Sequence, residues 1–301
     1  MKNKKFYVLL ITVSLFAGCA STQQNGLEIP ETQLIESNDL ADLTATALEL
    51  SGRLDHDELL VIFDLDNTLL AMEQDLGSNQ WYDWQSDLQD DDPCNPMVVT
   101  NTLAVQGALY TASAMRLTQD DAPNQVRTLQ ESGLKVFILT SRGPGYRFQT
   151  LRELRRNGFS FYSSAIGPPG GYAEEFLPAG GSRNARYEDG VFMTAGQNKG
   201  DMLKALLDKT QTKAPSVVLM ADDSLKNLEN VIEAFEGSQT SILAYRYGRE
   251  DEIVANFDAE KANQMWQQAK PAFQKLEELF GPDNYQLPID KPLEGCITQG
   301  E

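Results

Sequence analysis

Residues 59–68 read Leu-Leu-Val-Ile-Phe-Asp-Leu-Asp-Asn-Thr and determine how the rest of the chain is interpreted. The first five residues are all apolar, which is the pattern of a β-strand buried on both faces of a sheet. Asp64 and Asp66 follow directly, and a spacing of two directs both side chains the same way while the chain stays extended. Open parallel sheets bind ligands outside the carboxyl ends of their strands, so both acids lie where a functional site is expected.

Further short apolar runs recur along the chain, at residues 136–139, 217–220 and, more weakly, 242–245. Helical patterns accompany them at residues 40–54, 146–157, 199–209 and 225–235. Strands that alternate with helices predict an α/β fold, in which helices cover both faces of a parallel, Rossmann-like sheet. We expect residues 37–301 to form this domain.

Two segments interrupt the alternation. Residues 69–133 separate the first two strands by far more than a crossover needs and include a helix-like stretch at 98–117, so we expect a helical cap insertion there. Residues 167–196 are rich in Gly and Pro and predict a second insertion, with a hairpin that turns at Asp189-Gly190. After the last strand, residues 259–280 form a long helical pattern, broken or kinked near Pro271.

Polar residues with related chemistry follow the later elements. Residues 140–142, Thr-Ser-Arg, end the second strand, and their hydroxyls can hydrogen-bond a phosphate oxygen. Lys199 begins a helix, which is an unusual position for a cation unless an anion lies nearby. Asp222 and Asp223 end the third strand, and carboxylates suit a hard cation that prefers oxygen ligands.

These four motifs, in this order, resemble those of phosphatases of the haloacid dehalogenase (HAD) superfamily. The resemblance covers residues 59–247 and is specific because all four motifs occur together. Secreted acid phosphatases of the superfamily, some of them lipoproteins, and uncharacterised HAD-like bacterial lipoproteins are the nearest analogues. The resemblance implies the same Rossmann-like sheet that the strand pattern predicts.

The resemblance also implies the chemistry of the acidic residues. Asp64 would be the nucleophile that becomes an aspartyl phosphate, and Asp66 the general acid and base. Mg²⁺ would be held by the Asp64 carboxylate, the Asp66 backbone carbonyl and Asp222, with Asp223 as a second ligand or a neighbour that holds water. Family dehalogenases lack an acid at the position of Asp66 and ion pumps carry Thr there, so Asp66 favours hydrolysis of phosphate esters.

Other residues receive their roles in the same way. Thr140 and Lys199 would bind and neutralise the phosphoryl oxygens. Arg142 would either contact the substrate or form a salt bridge at the surface or with the cap. The aromatic residues among 81–84 form either the core of the cap or a surface that stacks on the leaving group.

The expected activity is therefore magnesium-dependent hydrolysis of a small periplasmic or extracellular phosphate monoester. Two alternatives remain open from the sequence. One is a non-catalytic binding or envelope-scaffold lipoprotein that keeps the fold, since a fold alone does not establish a function. The other is a phosphotransferase that passes the phosphoryl group from the same site to an alcohol.

The first 36 residues indicate export. Residues 1–19 have a basic start and a short apolar run, as signal peptides do, and residues 15–19 (Leu-Phe-Ala-Gly-Cys) resemble a bacterial lipobox. Cys19 is then the lipidated N-terminus, and residues 20–36 are expected to be a polar tether. Because Ala20 and Ser21 are not acidic, we expect the lipid anchor to lie in the outer membrane.

The composition argues against nucleic acid as a partner and excludes a zinc site built from several histidines. With 25 basic and 44 acidic residues the net charge is −19, a field that repels nucleic acid. His56 is the only histidine, so no histidine-clustered zinc site can form. Besides Cys19 the chain holds Cys94 and Cys296, which are either a disulfide of an exported protein or two free thiols.

Overall fold

The computed structural model describes residues 29–281, 283–284 and 296. The predicted signal peptide, residues 1–19 with Cys19, lies outside these residues. Among the helices of the described part, none combines the length and the apolar character that a membrane span needs.

Within the described residues, seven strands form one sheet and two form a small antiparallel pair. The strands are β1 (Gln33–Ser37), β2 (Leu59–Phe63), β3 (Leu70–Met72), β4 (Met115–Leu117), β5 (Lys135–Thr140), β6 (Arg186–Glu188), β7 (Val191–Met193), β8 (Val217–Asp222) and β9 (Ser241–Tyr247). The order in the main sheet is β1-β9-β8-β2-β5-β7-β6, and only β6 runs antiparallel to its neighbour.

The helices of the described residues are α1 (Leu40–Ser51), α2 (Asn79–Asp91), α3 (Thr102–Ala112), α4 (Ala122–Glu131), α5 (Arg147–Arg156), α6 (Lys199–Lys209), α7 (Leu225–Phe235), α8 (Asp251–Ala255) and α9 (Ala259–Phe280). They cover a mostly parallel sheet, so the predicted Rossmann-like α/β fold class is confirmed. The predicted single helix-like stretch 98–117 is divided between α3 and β4. α9 continues through Pro271, where the sequence predicted a break or a kink.

The central strand β2 is buried on both faces, as its apolar run predicts. Leu59, Val61 and Phe63 belong to a core cluster with residues of α1, α4 and α5. Leu60 and Ile62 belong to a second cluster, with residues of α6 and α7 on the other face. Successive side chains of a strand alternate between the two faces, so one five-residue run serves both layers. β2 lies between β5 and β8, where the strand order reverses direction.

The second insertion contains the predicted hairpin. β6 and β7 are antiparallel and are joined by Asp189 and Gly190, both with positive φ (49° and 76°), as a two-residue hairpin turn of type I′ requires. A Cβ at Gly190 would lie 2.6 Å from Cβ of Phe161, so the turn also needs a residue without a side chain. β7 pairs with β5, and the hairpin therefore extends the main sheet.

The cap lies between β3 and β4, which pair at its base. α2 and α3 form its helical part, and a core cluster joins it to α9 through Leu76, Trp81, Val99, Val105, Leu109, Ala262 and Trp266. Residues 122–131, inside the predicted cap 69–133, form α4, which packs on α1 and β5. This part of the predicted insertion thus belongs to the helices that cover the sheet.

A disulfide joins Cys94 of the cap region to Cys296. Of the two alternatives that the sequence leaves open for these cysteines, the structure contains the paired one. The two residues are 202 positions apart. The bond therefore ties the cap to the C-terminal end of the chain.

The predicted C-terminal bound of the tether, residue 36, is wrong, because residues 33–36 are part of β1. This strand pairs in parallel with β9 at the edge of the sheet. Its side chains are exposed or half-buried, and Leu34 is 45% exposed. An edge strand is held by backbone hydrogen bonds on one side and carries polar residues, so it has no buried apolar run to reveal it.

Candidate functional site

The carboxyl ends of β2, β5 and β8 meet at one edge of the sheet, beside the start of α6. A cavity of about 590 Å³ lies there. Its walls include Asp64, Asp66, Thr140 and Asp223, with residues of the cap on the opposite side. The structure thus gathers side chains that are far apart in the sequence, such as Asp64 and Asp223, around one cavity.

A tight turn after β2 presents the two acids. The Asp64 amide still donates to Ala221 O at 2.9 Å, so Asp64 continues the pairing of β2 with β8. The carbonyl of Leu65 then accepts from the amides of Leu69 and Leu70, both at 3.0 Å. Asn67 has φ 56°, in the left-handed region that Asn tolerates better than most residues. The chain therefore reverses within a few residues at this edge of the sheet.

Lys199 lies between two of the acids. Its Nζ is 2.5 Å from Asp64 Oδ1 and 2.6 Å from Asp222 Oδ2. The lysine is 1% exposed, and such a buried charge requires partners of opposite sign. The next residue, Gly200, permits the approach of α6 to α7, because a Cβ there would lie 2.1 Å from Asn230 O.

Burial and neighbouring charges shift the pKa values of these groups. Burial raises the pKa of Asp64 to about 7, with Lys199 opposing the rise and Asp222 adding to it. Burial also raises the pKa of Asp223 well above its usual range, and the carboxylates of Asp222 and Asp64 raise it further. Burial lowers the pKa of Lys199, but Asp222 and Asp64 outweigh it and hold that pKa above its ordinary value. The three carboxylates formally outnumber the one ammonium, and burial, together with this imbalance, is the cause of the raised pKa values of Asp64 and Asp223.

The acidic cluster has the donor set of a hard cation. Carboxylate oxygens of Asp64, Asp222 and Asp223 lie within 4.8 Å of one another. Oxygen ligands of this kind are what Mg²⁺ and Ca²⁺ prefer, and the excess of negative charge favours a divalent ion. Asp222 is oriented by bonds to its Oδ1 from the Ser224 amide at 2.9 Å and from Asn227 Nδ2 at 3.1 Å. The residues present therefore fit the Mg²⁺ that the sequence predicts.

Arg142 forms a buried salt bridge with Asp66. Its Nε lies 2.8 Å from Asp66 Oδ2 and its Nη2 2.8 Å from Oδ1, a bidentate geometry. Nη1 donates to Thr150 Oγ1 at 2.8 Å. The guanidinium carbon lies 4.2 Å from the ring centre of Tyr110, which belongs to α3 of the cap. The sequence left open a substrate contact or a salt bridge at the surface or with the cap. The structure instead pairs Arg142 with Asp66 at the cavity, a bond that the sequence did not predict.

Two hydroxyls support the loops around the cavity. Thr140 is buried, lines the cavity, and its Oγ1 accepts from the Arg142 amide at 3.2 Å. Thr68 Oγ1 accepts from the Asp223 amide at 3.0 Å, which links the loop after β2 to the loop after β8. The sequence analysis did not identify Thr68, although its place in the first motif is a signal that it lies near the site.

Tyr110 was also not singled out, whereas Tyr82 is one of the three aromatic residues of the cap for which the sequence left two roles open. Tyr110 occupies a buried position of α3, where an aromatic residue is indistinguishable from cap core in sequence. Among the aromatic residues of α2, Trp81 is completely buried and Trp84 packs against Phe257 with ring centres 5.8 Å apart. Tyr82 instead lines the cavity. The structure thus divides these aromatics between the two alternatives that the sequence left open.

One known family matches this chain. The family described as "Protein of unknown function (DUF2608)" matches residues 36–280, which include the sheet, the cap, α9 and all the acids of the cavity. No curated protein matches the chain.

Proposed function

The chain belongs to the DUF2608 family, and we propose that it is a magnesium-dependent phosphate monoester hydrolase of the HAD type, in which Asp64 forms an aspartyl phosphate. One observation carries the proposal above the others. Asp64, Lys199 and Asp222 form a buried network at the carboxyl end of the central strand, and Asp64 joins this network to the wall of the cavity. Perturbed carboxylates in a cleft are a common feature of catalytic sites.

Asp64 is suited to be the nucleophile, and Asp66 to move the proton. A carboxylate oxygen of Asp64 attacks phosphorus, the bond from phosphorus to the ester oxygen breaks, and that oxygen takes a proton from Asp66. Water then attacks the same phosphorus and gives a proton to Asp66. The bond between phosphorus and Asp64 breaks, which releases inorganic phosphate and restores both carboxyl groups.

The other residues of the cavity bind and orient. Lys199 uses two of its three N–H donors on Asp64 and Asp222, so the third is available for a phosphoryl oxygen. The hydroxyl of Thr140 donates to another. Mg²⁺, when bound by the Asp64, Asp222 and Asp223 carboxylates and the Asp66 carbonyl, supplies positive charge that offsets the charge of the phosphate.

Arg142 orients Asp66 for both proton transfers. A bidentate pair restricts rotation of the Asp66 carboxyl, and the Thr150 bond restricts the guanidinium in turn. Preorganised groups of this kind make proton transfer efficient because little rearrangement is needed.

The non-catalytic scaffold is the less favoured alternative. Burying the carboxylates of Asp64 and Asp222 around one ammonium, with the half-buried Asp223 beside them, costs stability unless the excess charge has a use. Each residue that the resemblance assigns to catalysis is present in the sequence, and the shared cavity of Asp64, Asp66, Thr140 and Asp223 supports an enzyme over a scaffold. A scaffold protein has no need to retain Asp64, Lys199 and Asp222 in this arrangement.

We further propose that the protein is exported and lipid-anchored through Cys19, with a small phosphorylated substrate rather than nucleic acid as its partner. The lipobox-like residues 15–19 support the anchor. The disulfide between Cys94 and Cys296 supports an oxidising compartment. Replacing Cys19 with Ser should release the protein from the outer-membrane fraction or leave the precursor uncleaved. Unchanged fractionation and migration would refute the anchor.

The decisive experiment measures phosphate release from 4-nitrophenyl phosphate by the full chain, with and without Mg²⁺. We expect activity that EDTA abolishes and Mg²⁺ restores. Asp64→Asn should reduce it to background while the circular dichroism spectrum is retained, since the volume barely changes. Asp90→Asn is the matched control, because Asp90 is exposed on α2 and outside the cavity.

Retention of most of the activity by Asp64→Asn would refute the mechanism. Absence of any wild-type hydrolysis over a broad panel of phosphate esters would favour the scaffold. Transfer of the phosphoryl group to added glycerol, with little free phosphate, would identify a phosphotransferase.

A further inference from the structure

A second groove on the cap lies beside the cavity at the acidic cluster. The groove has a volume of about 350 Å³ and lies between α2 and the start of α3. Tyr82 lines both the cavity and the groove. The two spaces therefore adjoin the same side chain, and a molecule whose phosphate lies at Asp64 would reach the groove along Tyr82.

One face of α2 lines this whole path. Asn79, Tyr82 and Asp83 face the cavity, and Tyr82, Ser86 and Gln89 face the groove. The spacing of 3, 4, 7 and 10 residues from Asn79 places these five side chains along one side of the helix. Ten residues of helix span about 15 Å. The opposite side of α2 packs into the cap core through the buried Trp81.

The side chains along the path are hydrogen-bonding groups. Asp83 is exposed and has one oxygen bonded to Asn79 Nδ2 at 3.2 Å, so its carboxylate retains acceptor capacity. Across the cavity stand Lys226 and Asn230 of α7. Ser86 and Gln89 each combine a donor and an acceptor. Carboxylate, amide and hydroxyl groups together match a ligand that presents many hydroxyls, each able both to donate and to accept.

The apolar part of this lining is small. Tyr82 is the one aromatic side chain among the described residues that line the two spaces. Leu103 and Ala104 are the aliphatic ones, both at the outer groove. A nucleobase or an acyl chain needs extensive apolar or aromatic walls. One aromatic ring beside many polar groups is instead suited to a sugar, whose C–H face packs on a ring while its hydroxyls bind at the edges.

We infer that this cleft binds a polyhydroxylated leaving group, so that the substrate is a phosphorylated sugar. The inference rests on the proposed hydrolysis at Asp64 and adds the substrate class. In the bound substrate, the sugar ring packs on Tyr82 and neighbouring hydroxyls donate to Asp83. Ser86 and Gln89 bind a further hydroxyl or a second sugar unit.

The activity test compares a hexose 6-phosphate, adenosine 5′-monophosphate and 4-nitrophenyl phosphate with the full chain and Mg²⁺. We expect kcat/KM for the sugar phosphate to exceed that for the nucleotide by at least about 10-fold, the discrimination of one or two well-placed hydrogen bonds. Within each variant, the ratio of kcat/KM for the sugar phosphate to that for the aryl phosphate is the readout. Tyr82→Ala and Asp83→Ala should lower this ratio by about 10-fold each. Asp91→Ala should leave it unchanged, because Asp91 is exposed, lines neither space and lies on a different side of the same helix.

Binding gives a second readout that does not depend on turnover. Calorimetry with Asp64→Asn and Mg²⁺ should show the hexose 6-phosphate binding at least about 10-fold more tightly than inorganic phosphate, with the difference lost in Asp64→Asn/Asp83→Ala. Hydrolysis of the aryl phosphate without any preference for the sugar phosphate, in activity or in binding, would overturn the substrate class and leave the phosphatase standing. Absence of aryl phosphate hydrolysis would instead count against the proposed function, and the binding comparison would still decide whether the cleft recognises sugars.

Discussion

Arg142 binds both carboxylate oxygens of Asp66, with Nε and Nη2 each 2.8 Å from one oxygen. The guanidinium is 4% exposed and is itself held by Thr150 of the core and covered by Tyr110 of the cap. Asp66 is therefore positioned from both the sheet and the cap. If Asp66 transfers the proton in catalysis, the geometry of that transfer depends on Arg142.

Replacing Arg142 should slow hydrolysis most for substrates that have a poor leaving group. Arg142→Gln leaves Asp66 without its bidentate partner, so protonation of the leaving oxygen becomes less efficient. We expect kcat/KM to fall by about 10²-fold for an alkyl phosphate and far less for 2,4-dinitrophenyl phosphate, which needs little protonation. Arg142→Lys, which keeps the charge but not the planar fork, should recover part of the loss.

Steady-state kinetics with both substrates measures this difference. Arg155→Gln is the control, because Arg155 is 68% exposed and pairs with Asp189 at the surface. An equal loss for both substrates would mean that Arg142 only maintains the structure.

Asp66→Asn should separate the two chemical steps. The substitution keeps the backbone carbonyl for Mg²⁺ and removes the group that activates water, which typically contributes about 10²- to 10⁴-fold. With 2,4-dinitrophenyl phosphate we expect a burst of phenol followed by slow turnover, and a phosphorylated protein that intact-mass spectrometry detects after acid quenching. Asp64→Asn should give neither the burst nor the added mass. A variant that turns over like wild type would contradict the role of Asp66.

Glu153 should make stability depend on pH. This carboxylate is buried and accepts from the Met115 amide at 2.8 Å, Arg152 Nε at 2.8 Å and Arg156 Nε at 2.9 Å. Burial alone raises its pKa, but these three donors outweigh burial and hold the pKa of Glu153 below its ordinary 4.5. A lowered folded-state pKa gives stability that is present above 4.5 and is lost as the pH falls through the folded-state value.

Glu153→Gln should therefore lose about 1–3 kcal/mol of unfolding free energy at pH 7, the usual worth of hydrogen bonds to a charged group. The difference from wild type should shrink as the pH falls below 4.5 and through the lowered pKa of Glu153. Urea denaturation at several pH values measures the difference in unfolding free energy between wild type and Glu153→Gln. Glu278→Gln removes an exposed pair with Lys275 and should change little. A difference between wild type and Glu153→Gln that stays constant with pH would show that the charge is not the cause.

The disulfide should stabilise the attachment of the cap. Because Cys94 and Cys296 are 202 residues apart, the bond restricts a long segment of the unfolded chain. We expect Cys94→Ser/Cys296→Ser to lose about 2–4 kcal/mol in denaturant unfolding. Reduction by dithiothreitol should destabilise the wild type to a similar degree and leave the double variant unaffected, which provides the internal control. Two free thiols in the exported native protein would contradict the bond.

The local patterns of the sequence were sufficient to predict the bounds of the central elements. The five apolar residues of β2 and the helical patterns of α6 and α7 have the bounds that the structure shows. These elements are buried by the sheet on one or both sides, and burial imposes a periodicity that each segment carries by itself. The same reasoning placed Asp64, Thr140 and Asp222 at strand ends, since parallel strands share one carboxyl edge.

Elements whose position depends on residues far away in the sequence could not be predicted from local patterns. β1 is an exposed edge strand that exists because β9 pairs with it, and α4 lies with the sheet because α1 and β5 accept its apolar face. Neither condition leaves a mark on the local sequence. The sequence also treated the aromatics of α2 alike, although the packing of α9 against the cap buries Trp81 and leaves Tyr82 at the cavity.

The sequence by itself thus determined the parallel sheet, the edge at which the acids meet and the kinds of residue gathered there. Only the tertiary structure decided which of those residues touch. Asp66 and Arg142 are 76 positions apart, and Lys199 is 135 positions from Asp64. The physical reason is that strand and helix periodicity records which side of an element is buried, whereas a salt bridge requires two particular side chains to meet within about 4 Å, which depends on how whole elements pack.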